Sequence, residues 1–318
     1  MKQKNIMDIT PFFDGKGKSC NDNIIISVAI WAGVDYRPMY ADQWKFSFER
    51  KDNLAGIWKR GEMASALYYD DQFLTPNHLN RYTNLSVYHQ ENKNVLDIHA
   101  DLIGDRPVAV AADTYYIPWL DNHYQKVHSD HAFLIAGCDE NGVYCNDIRN
   151  NKLPVIHYYI DNDLFQKMYL NYCAVFQKEL NKEVDNDISQ EIKKVNCGMF
   201  AKMEEFADAI KNKGIDASEV EPFDAGEGIL LRAIRNIARS RYNYISALEC
   251  LYERMKDGRI STIARLISQS NENWELIKIL IYKAFVEKQI NKYNTKVVDL
   301  IEKSKNLEQE AYCVLSGL

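Results

Sequence analysis

Asp14-Gly15-Lys16-Gly17-Lys18-Ser19-Cys20-Asn21 is a short glycine- and lysine-rich segment that leads directly into an apolar run at residues 23–34. The run predicts a buried helix, and the segment before it predicts a loop that places Cys20 at the helix N-terminus. Backbone N–H groups and the helix dipole stabilise negative charge at that end, which favours the thiolate form of Cys20. This is the environment of a cysteine nucleophile, which also needs a histidine and an orienting carboxylate or amide.

A predicted β-hairpin supplies both partners. Residues 131–138 and 143–147 have the apolar character of strands, and Asp139-Glu140-Asn141-Gly142 predicts the turn between them. Counting outward from this turn pairs position 131 with about position 150, so Asp147 is a diagonal neighbour of His131. A single histidine at a strand start is usually a surface or capping residue. The order cysteine, histidine, aspartate is more specific, and it resembles the relay of papain-like enzymes.

Further motifs carry a resemblance to one family within the papain-like fold. They are Ser19-Cys20-Asn21-Asp22-Asn23, Asp113-Thr114-Tyr115-Tyr116-Ile117-Pro118-Trp119, the pair His128 and His131, and Val143-Tyr144-Cys145-Asn146-Asp147. Residues 10–160 resemble the papain-like cysteine acyltransferase family of the butirosin biosynthesis acyltransferase. In function that family is similar to the cysteine-peptidase-like amide synthetase of closthioamide biosynthesis. The resemblance implies catalytic roles for Cys20, His131 and Asp147.

The same resemblance implies formation of an amide bond in natural-product (antibiotic) biosynthesis. Cys20 would take an acyl chain from the phosphopantetheine thioester of an acyl or peptidyl carrier protein and pass it to a small amine, such as a diamine. A thioester is already activated, so no further cofactor is expected. The alternative is a cysteine peptidase or amidase of the same fold that uses water as acceptor. A scaffold that keeps a degenerate protease fold is a third reading.

Substrate-binding residues are expected beside the nucleophile. Asp113, Tyr115, Tyr116 and Trp119 would form a channel wall, where the carboxylate could bind a cationic amine and the rings could hold an acyl chain. An equally reasonable interpretation is a strand end followed by an aromatic loop that covers the core. Papain-like peptidases usually place a glutamine oxyanion donor six residues before the nucleophile, and Asp14 occupies that position here.

Two asparagines are therefore candidates for the second oxyanion donor. The first donor is expected to be the backbone N–H of Cys20, and either Asn21 or Asn23 would supply the other.

Composition excludes several functional classes. The chain has 318 residues and a net charge of −6, which argues against a general nucleic-acid-binding role. The first eight residues lack a hydrophobic signal core, and no apolar run is long enough for a membrane span. Seven cysteines do not suggest a disulfide framework, so we expect a cytoplasmic protein with no membrane contact.

Metal and nucleotide sites are not expected. His128, Asp130 and His131 have no familiar zinc spacing with the nearby cysteines. Gly17-Lys18-Ser19 has the end of a phosphate-binding loop motif, but Phe12 stands where that motif requires glycine.

Two domains are predicted, a papain-like α+β domain at residues 1–180 with an antiparallel sheet and an all-helical domain at 181–318. Additional strands are predicted at 107–113, 155–160 and 172–178, and short helices at 39–50 and 63–69. Helices in the second domain are predicted at 188–212, 228–255, 260–268, 272–292 and 295–315. On one of them Arg232, Arg235 and Arg239 recur at near-helical spacing. A solvated face is the default interpretation, and docking of an acidic carrier protein or its pantetheine phosphate is the alternative.

Overall fold

The computed structural model describes residues 5–14, 18–49, 62–67, 77–148, 153–179, 187–222 and 228–318. The chain divides into two compact units. The sheet unit comprises Met1–Tyr36 and Gln72–Asn186, and the helical unit comprises Arg37–Asp71 and Asp187–Leu318. The predicted class, an α+β part with an antiparallel sheet followed by a helical C-terminal part, is confirmed.

The described strands, in chain order, are β1 (Asn5–Ile6), β2 (Leu85–Glu91), β3 (Val108–Asp113), β4 (Asp130–Cys138), β5 (Gly142–Ile148), β6 (Pro154–Asp161) and β7 (Tyr169–Lys178). The described α-helices are α1 (Cys20–Trp31), α2 (Glu62–Ala66), α3 (Asn77–Tyr82), α4 (Val95–Ile103), α5 (Asn162–Met168), α6 (Ser189–Ile192), α7 (Met199–Lys213), α8 (Ile229–Met255), α9 (Gly258–Val286) and α10 (Asn294–Ser316). Short 3-10 helices cover Arg37–Tyr40, Thr114–Tyr116 and Ala217–Glu219.

An antiparallel sheet in the order β2-β7-β3-β4-β5-β6 is the framework of the sheet unit, and β1 pairs with the end of β4. Residues 132–136 of β4 are buried, as expected for a short continuous apolar run in a central strand. Helix α1 packs against this strand. The five predicted strands are all present and begin and end within three residues of the expected positions.

The chain between residues 37 and 103 differs most from the prediction. No helix covers residues 41–49, where the predicted helix at 39–50 is reduced to the 3-10 helix Arg37–Tyr40. In this stretch the carbonyl of Lys45 accepts a hydrogen bond from Arg241, so tertiary contacts use a backbone group that a helix would have needed. The helix predicted at 63–69 is shorter, and residues 68 and 69 lie outside the described residues. Strand β2 and helix α4 are not in the prediction.

The predicted domain boundary also differs from the observed division. Residues 1–180 were expected to form one domain, but Arg37–Asp71 belongs to the helical unit. The reason is a buried carboxylate on α10. Glu308 accepts a hydrogen bond from Trp44 Nε1 at 2.7 Å and two from Arg241, from Nε at 3.0 Å and Nη2 at 2.9 Å. The side chains of Glu308 and Arg241 are both completely buried.

Two predicted helix boundaries in the helical unit differ from the observed ones. Ser270 also donates to Glu308, which places a polar residue of α9 in the core. The predicted break between residues 268 and 272 is absent, and one helix, α9, spans it with Ser270 on its buried face. Conversely, the predicted helix at 188–212 is divided into α6 and α7, where the Asn196 side chain accepts a hydrogen bond from the Gly198 N–H.

Replacing Arg241 by methionine should destabilise the helical unit by about 3–5 kcal/mol, because it leaves the Glu308 carboxylate buried without its cation. The measurement is chemical denaturation at neutral pH. Arg37→Met is the matched control, since it removes an exposed ion pair with Glu253 in the same unit and should cost less than about 1 kcal/mol. Equal destabilisation by the two variants would contradict the assigned role of the buried pair.

Candidate active site

The first turn of α1 is fixed by a capping box. Ser19 Oγ accepts a hydrogen bond from the Asp22 N–H at 3.1 Å, and Asp22 Oδ2 accepts one from the Ser19 N–H at 2.9 Å. Cys20 is the first residue of the helix, so its N–H has no intrahelical acceptor and lies at the positive end of the helix dipole. The pattern Ser19-x-x-Asp22 in the sequence is the signal for this cap.

The segment that leads to this helix is attached to its surroundings by side chains. Asn146 Nδ2 donates to the Ile9 carbonyl at 2.5 Å, and Ser27 Oγ accepts a hydrogen bond from the Phe12 N–H at 2.7 Å. Asn146 is 2% exposed and directly precedes Asp147 on β5. Adjacent residues of one strand therefore hold the segment before Cys20 and carry the aspartate of the site.

The hairpin of β4 and β5 brings His131 next to Asp147. Its register includes the pair Leu134↔Asn146. One residue further along β5, Asp147 lies opposite Phe133 of β4. His131 is then the diagonal neighbour of Asp147 on the same face of the sheet. His131 Nε2 lies 2.7 Å from Asp147 Oδ2. Because this bond uses Nε2, the Nδ1 side of the ring is left for the cysteine.

The Cys20 thiol is half-buried and is hydrogen-bonded to the His131 side chain. Burial opposes ionisation of the thiol, but the hydrogen bond and positive charge of His131, with a hydrogen bond from the Ala132 N–H, outweigh it. The pKa of Cys20 is therefore below its ordinary value. Burial also opposes the imidazolium, but the Asp147 charge and hydrogen bond raise the pKa of His131 well above its ordinary value. Together these shifts favour a thiolate–imidazolium pair at rest.

Trp119 does not line a channel, which corrects the sequence-based expectation. The side chain is 1% exposed, and its Nε1 donates to Asp147 Oδ2 at 2.7 Å. The Ile148 N–H donates to the other carboxylate oxygen at 2.7 Å. Asp147 is itself only 8% exposed, so these donors replace the water that a carboxylate would otherwise bind. Sequence reasoning missed this role because only the apolar ring of Trp119 was considered.

Asp113, Tyr115 and Tyr116 form a second group with His128 at the same end of the sheet. Asp113 Oδ2 lies 2.7 Å from His128 Nδ1, and its Oδ1 accepts the Tyr115 N–H. The Tyr115 and His128 rings are stacked with centroids 4.3 Å apart, and Tyr116 meets Tyr115 edge-on at 5.1 Å. Ala112, one residue before Asp113, is the cross-strand partner of His131. Because successive side chains of a strand point to opposite faces, Asp113 is on the opposite face of the sheet from His131, and the two groups share only the same end of β3 and β4. The carboxylate of the second group already has an imidazole partner.

The two candidate oxyanion asparagines lie on the first turn of α1. Asn21 Oδ1 is 3.9 Å from Cys20 Sγ, which places its carboxamide beside the thiol. Among the described residues, no hydrogen-bond donor reaches the buried Oδ1 of Asn23. The oxygen and nitrogen of a carboxamide exchange places by a half-turn, and an ionised thiol favours the orientation in which Asn21 presents N–H. Asn21 therefore has its carboxamide within reach of the nucleophile.

The arginines of α8 have different environments. Arg232 is exposed, whereas Arg235 and Arg239 are half-buried. Arg241, the next arginine along the helix, is fully buried and paired with Glu308. The helix face is therefore only partly available for docking.

Two kinds of feature are absent from the described ranges. Nowhere in them do three or more histidine, cysteine, aspartate or glutamate side chains come together to hold a metal ion. None of the helices in the described part of the chain has both the length and the apolar character to cross a bilayer.

No protein-family model matches the sequence, and no curated protein matches it. The structure is similar to a solved structure described as a C39-like peptidase from Bacillus anthracis, with 12% sequence identity and a TM-score of 0.37. This similarity covers 58% of the present chain and 100% of the other. A likeness at this level carries no weight for function, and the chemistry of the site follows from its own residues.

Replacing His131 by alanine should raise the pKa of Cys20, because burial then acts without the opposing imidazolium. One pKa unit is about a tenfold change in thiolate fraction, so iodoacetamide alkylation of Cys20 at pH 6 should slow by about tenfold or more. Peptide mass spectrometry would measure the alkylation rate of Cys20, with the exposed Cys197 and Cys313 as internal references. His128→Ala is the matched control, since His128 has the same 2.7 Å carboxylate contact. An unchanged rate in His131→Ala would refute the Cys20–His131 coupling.

Proposed function

We propose that this protein is a cysteine-dependent acyltransferase that forms amide bonds, with Cys20 as nucleophile, His131 as general acid and base, and Asp147 as the residue that orients the imidazole. The observation that carries the proposal is the placement of Cys20 at a helix N-terminus beside His131, whose Nε2 lies 2.7 Å from Asp147 Oδ2. This arrangement lowers the pKa of Cys20 and raises that of His131. A preformed thiolate is the nucleophile that acyl transfer needs, and the adjacent imidazolium is the acid for the leaving group.

The first half-reaction would transfer the acyl group to the enzyme. The Cys20 thiolate attacks the thioester carbonyl of a carrier-bound acyl chain and forms a tetrahedral oxyanion. The Cys20 N–H, with the Asn21 carboxamide as second donor, would stabilise the oxyanion. Collapse breaks the bond to the pantetheine sulfur, which takes the proton from His131. The products are an acyl–Cys20 thioester, a free pantetheine thiol and a neutral imidazole.

The second half-reaction would form the amide. A neutral amine attacks the acyl–Cys20 carbonyl and gives a proton to His131, and the tetrahedral intermediate expels the Cys20 thiolate. This restores the thiolate–imidazolium pair, so no proton or electron is left over. Hydrolysis follows the same steps with water as acceptor. Transfer exceeds hydrolysis only if the amine is held at high effective concentration near the acyl group.

Asp113, Tyr115 and Tyr116 would supply that acceptor subsite. A carboxylate flanked by aromatic rings suits a cationic amine, and a diamine could bind by its charged end while the neutral end reacts. His128 shares the carboxylate, so the amine would join or displace an existing hydrogen bond. We further propose that the carrier protein is acidic and meets α8 at Arg232, with Arg235 and Arg239 in a supporting role.

Incubation with a carrier-bound acyl thioester, with and without a diamine, tests the proposal. Intact-protein mass spectrometry should detect an acyl adduct on the wild-type chain and none on Cys20→Ala, and the diamine should convert the adduct to an amide. Free acid at the same rate with and without diamine would instead identify a hydrolase. Absence of any adduct with several acyl chains would reject the nucleophile and favour a scaffold.

Asp113→Asn should weaken use of the diamine without slowing acylation. A charge-assisted hydrogen bond contributes about 1.5–3 kcal/mol, so the diamine concentration for half-maximal amide formation should rise by about tenfold or more. Rapid-quench measurement of the acyl adduct should give the wild-type rate. Asp130→Asn is the matched control, because Asp130 is the exposed cross-strand partner of Asp113. Equal effects of the two substitutions, or a slower acylation in Asp113→Asn, would contradict the acceptor subsite.

A further inference from the structure

The Asp147 carboxylate receives hydrogen bonds from a titratable donor and from two donors that cannot titrate near neutral pH. Its Oδ2 is shared by His131 Nε2 and Trp119 Nε1, each at 2.7 Å, and its Oδ1 accepts the Ile148 N–H. The indole N–H is a donor at every pH at which the protein folds. It therefore compensates the buried charge of Asp147 whether His131 is an imidazolium or a neutral imidazole.

Packing fixes the indole in this position. The Trp119 ring meets Phe133 of β4 edge-on, with centroids 5.3 Å apart, and lies against Tyr158 of β6 at 5.1 Å. The loop that carries it is closed by Thr114, whose N–H donates to the Ser129 carbonyl at 2.9 Å. Contacts from two strands and a closed loop leave the ring a single orientation.

The indole cannot act on a substrate directly, because only 1% of the Trp119 surface is exposed. Any effect that it has on the reaction passes through Asp147. A second donor on Oδ2, together with the Ile148 N–H on Oδ1, restricts rotation of the carboxylate about its Cβ–Cγ bond. Oδ2 is then held toward His131 Nε2, which in turn keeps the other side of the imidazole toward Cys20.

We propose that Trp119 is a positioning residue of the Cys20–His131–Asp147 group, which holds the Asp147 carboxylate oriented toward His131 through its indole N–H. This rests on the proposed role of Cys20 as nucleophile and not on the identity of the acyl donor or the acceptor. Loss of the N–H removes one of the donors to Oδ2 and leaves the carboxylate free to turn away from His131. His131 then holds its proton less tightly, and Cys20 ionises less readily.

Trp119→Phe tests this, since it keeps an aromatic ring and removes the N–H. The readout is the pH dependence of iodoacetamide alkylation at Cys20, which needs no substrate. The midpoint of the profile should move upward by about one pH unit, which slows alkylation by about tenfold at pH values below both midpoints and leaves the rate at high pH unchanged. If the wild-type chain fails to transfer an acyl group but Trp119→Phe still shifts the alkylation profile of Cys20, the proposed function is rejected and this inference stands.

Trp44→Phe is the matched control, because it also removes an indole N–H that donates to a buried carboxylate. Trp44 is also 1% exposed, and its Nε1 also donates to a buried carboxylate, that of Glu308, at 2.7 Å. It belongs to the helical unit, so this substitution should lower stability and leave the alkylation profile of Cys20 unchanged. A profile shift of the same size in both variants would attribute the effect to general loosening and overturn the proposal.

A smaller ring can also perturb packing, so a second variant separates shape from hydrogen bonding. Substitution of Trp119 by β-(3-benzothienyl)alanine retains the bicyclic shape and replaces the N–H by sulfur. The same upward shift as in Trp119→Phe supports the proposal. A wild-type profile in this folded variant, or a rate lowered equally at all pH values, overturns it.

Discussion

A buried carboxylate must receive hydrogen bonds from the protein in place of water, and in the sheet unit three donors supply them to Asp147. The donors come from three parts of the chain: His131 at the start of β4, Trp119 in the loop that precedes β4, and the backbone of β5 itself. Each donor has to reach the same group, which constrains the hairpin register, the loop and the imidazole together. The charge of Asp147 then determines the charge of His131, and His131 determines that of Cys20.

The helical unit contains a second buried carboxylate with a different outcome. Glu308 also receives an indole N–H, from Trp44, but its cation is Arg241, which stays protonated at any pH at which proteins fold. That pair is fully enclosed, so it has a structural role and no access to a substrate. Asp147 is paired instead with an imidazole whose side chain is 17% exposed and can give up its proton. A carboxylate paired with an arginine keeps a fixed partner charge and is structural, whereas one paired with a histidine can take part in proton transfer.

The parts of the fold that the sequence predicted are those with a strong local pattern. The strands around Phe133 and Tyr144 are continuous apolar runs bounded by a turn, and counting outward from that turn predicts Asp147 as the diagonal neighbour of His131, as the register shows. Strand β2 escaped prediction because it is an edge strand whose second half is polar and exposed. A break was predicted near Ser270 because the stretch is polar, but the Ser270 hydroxyl is bonded to Glu308, 38 residues away, so this polar residue lies in the core of a continuous helix. The role of Trp119 depends on where one N–H bond points, which no spacing in the sequence encodes.

The membership of Arg37–Asp71 in the helical unit has a consequence for how this protein can be divided or inherited. The chain leaves the sheet unit after Tyr36, returns at Gln72 and leaves again after Asn186, so neither unit is a continuous piece of sequence. A gene shortened after codon 180 would encode Trp44 without the glutamate that binds it. Such a chain would expose an apolar segment in the middle of the remaining domain. The helical half could therefore not be lost or exchanged by a single recombination event at the apparent boundary, and the two units are expected to evolve as one.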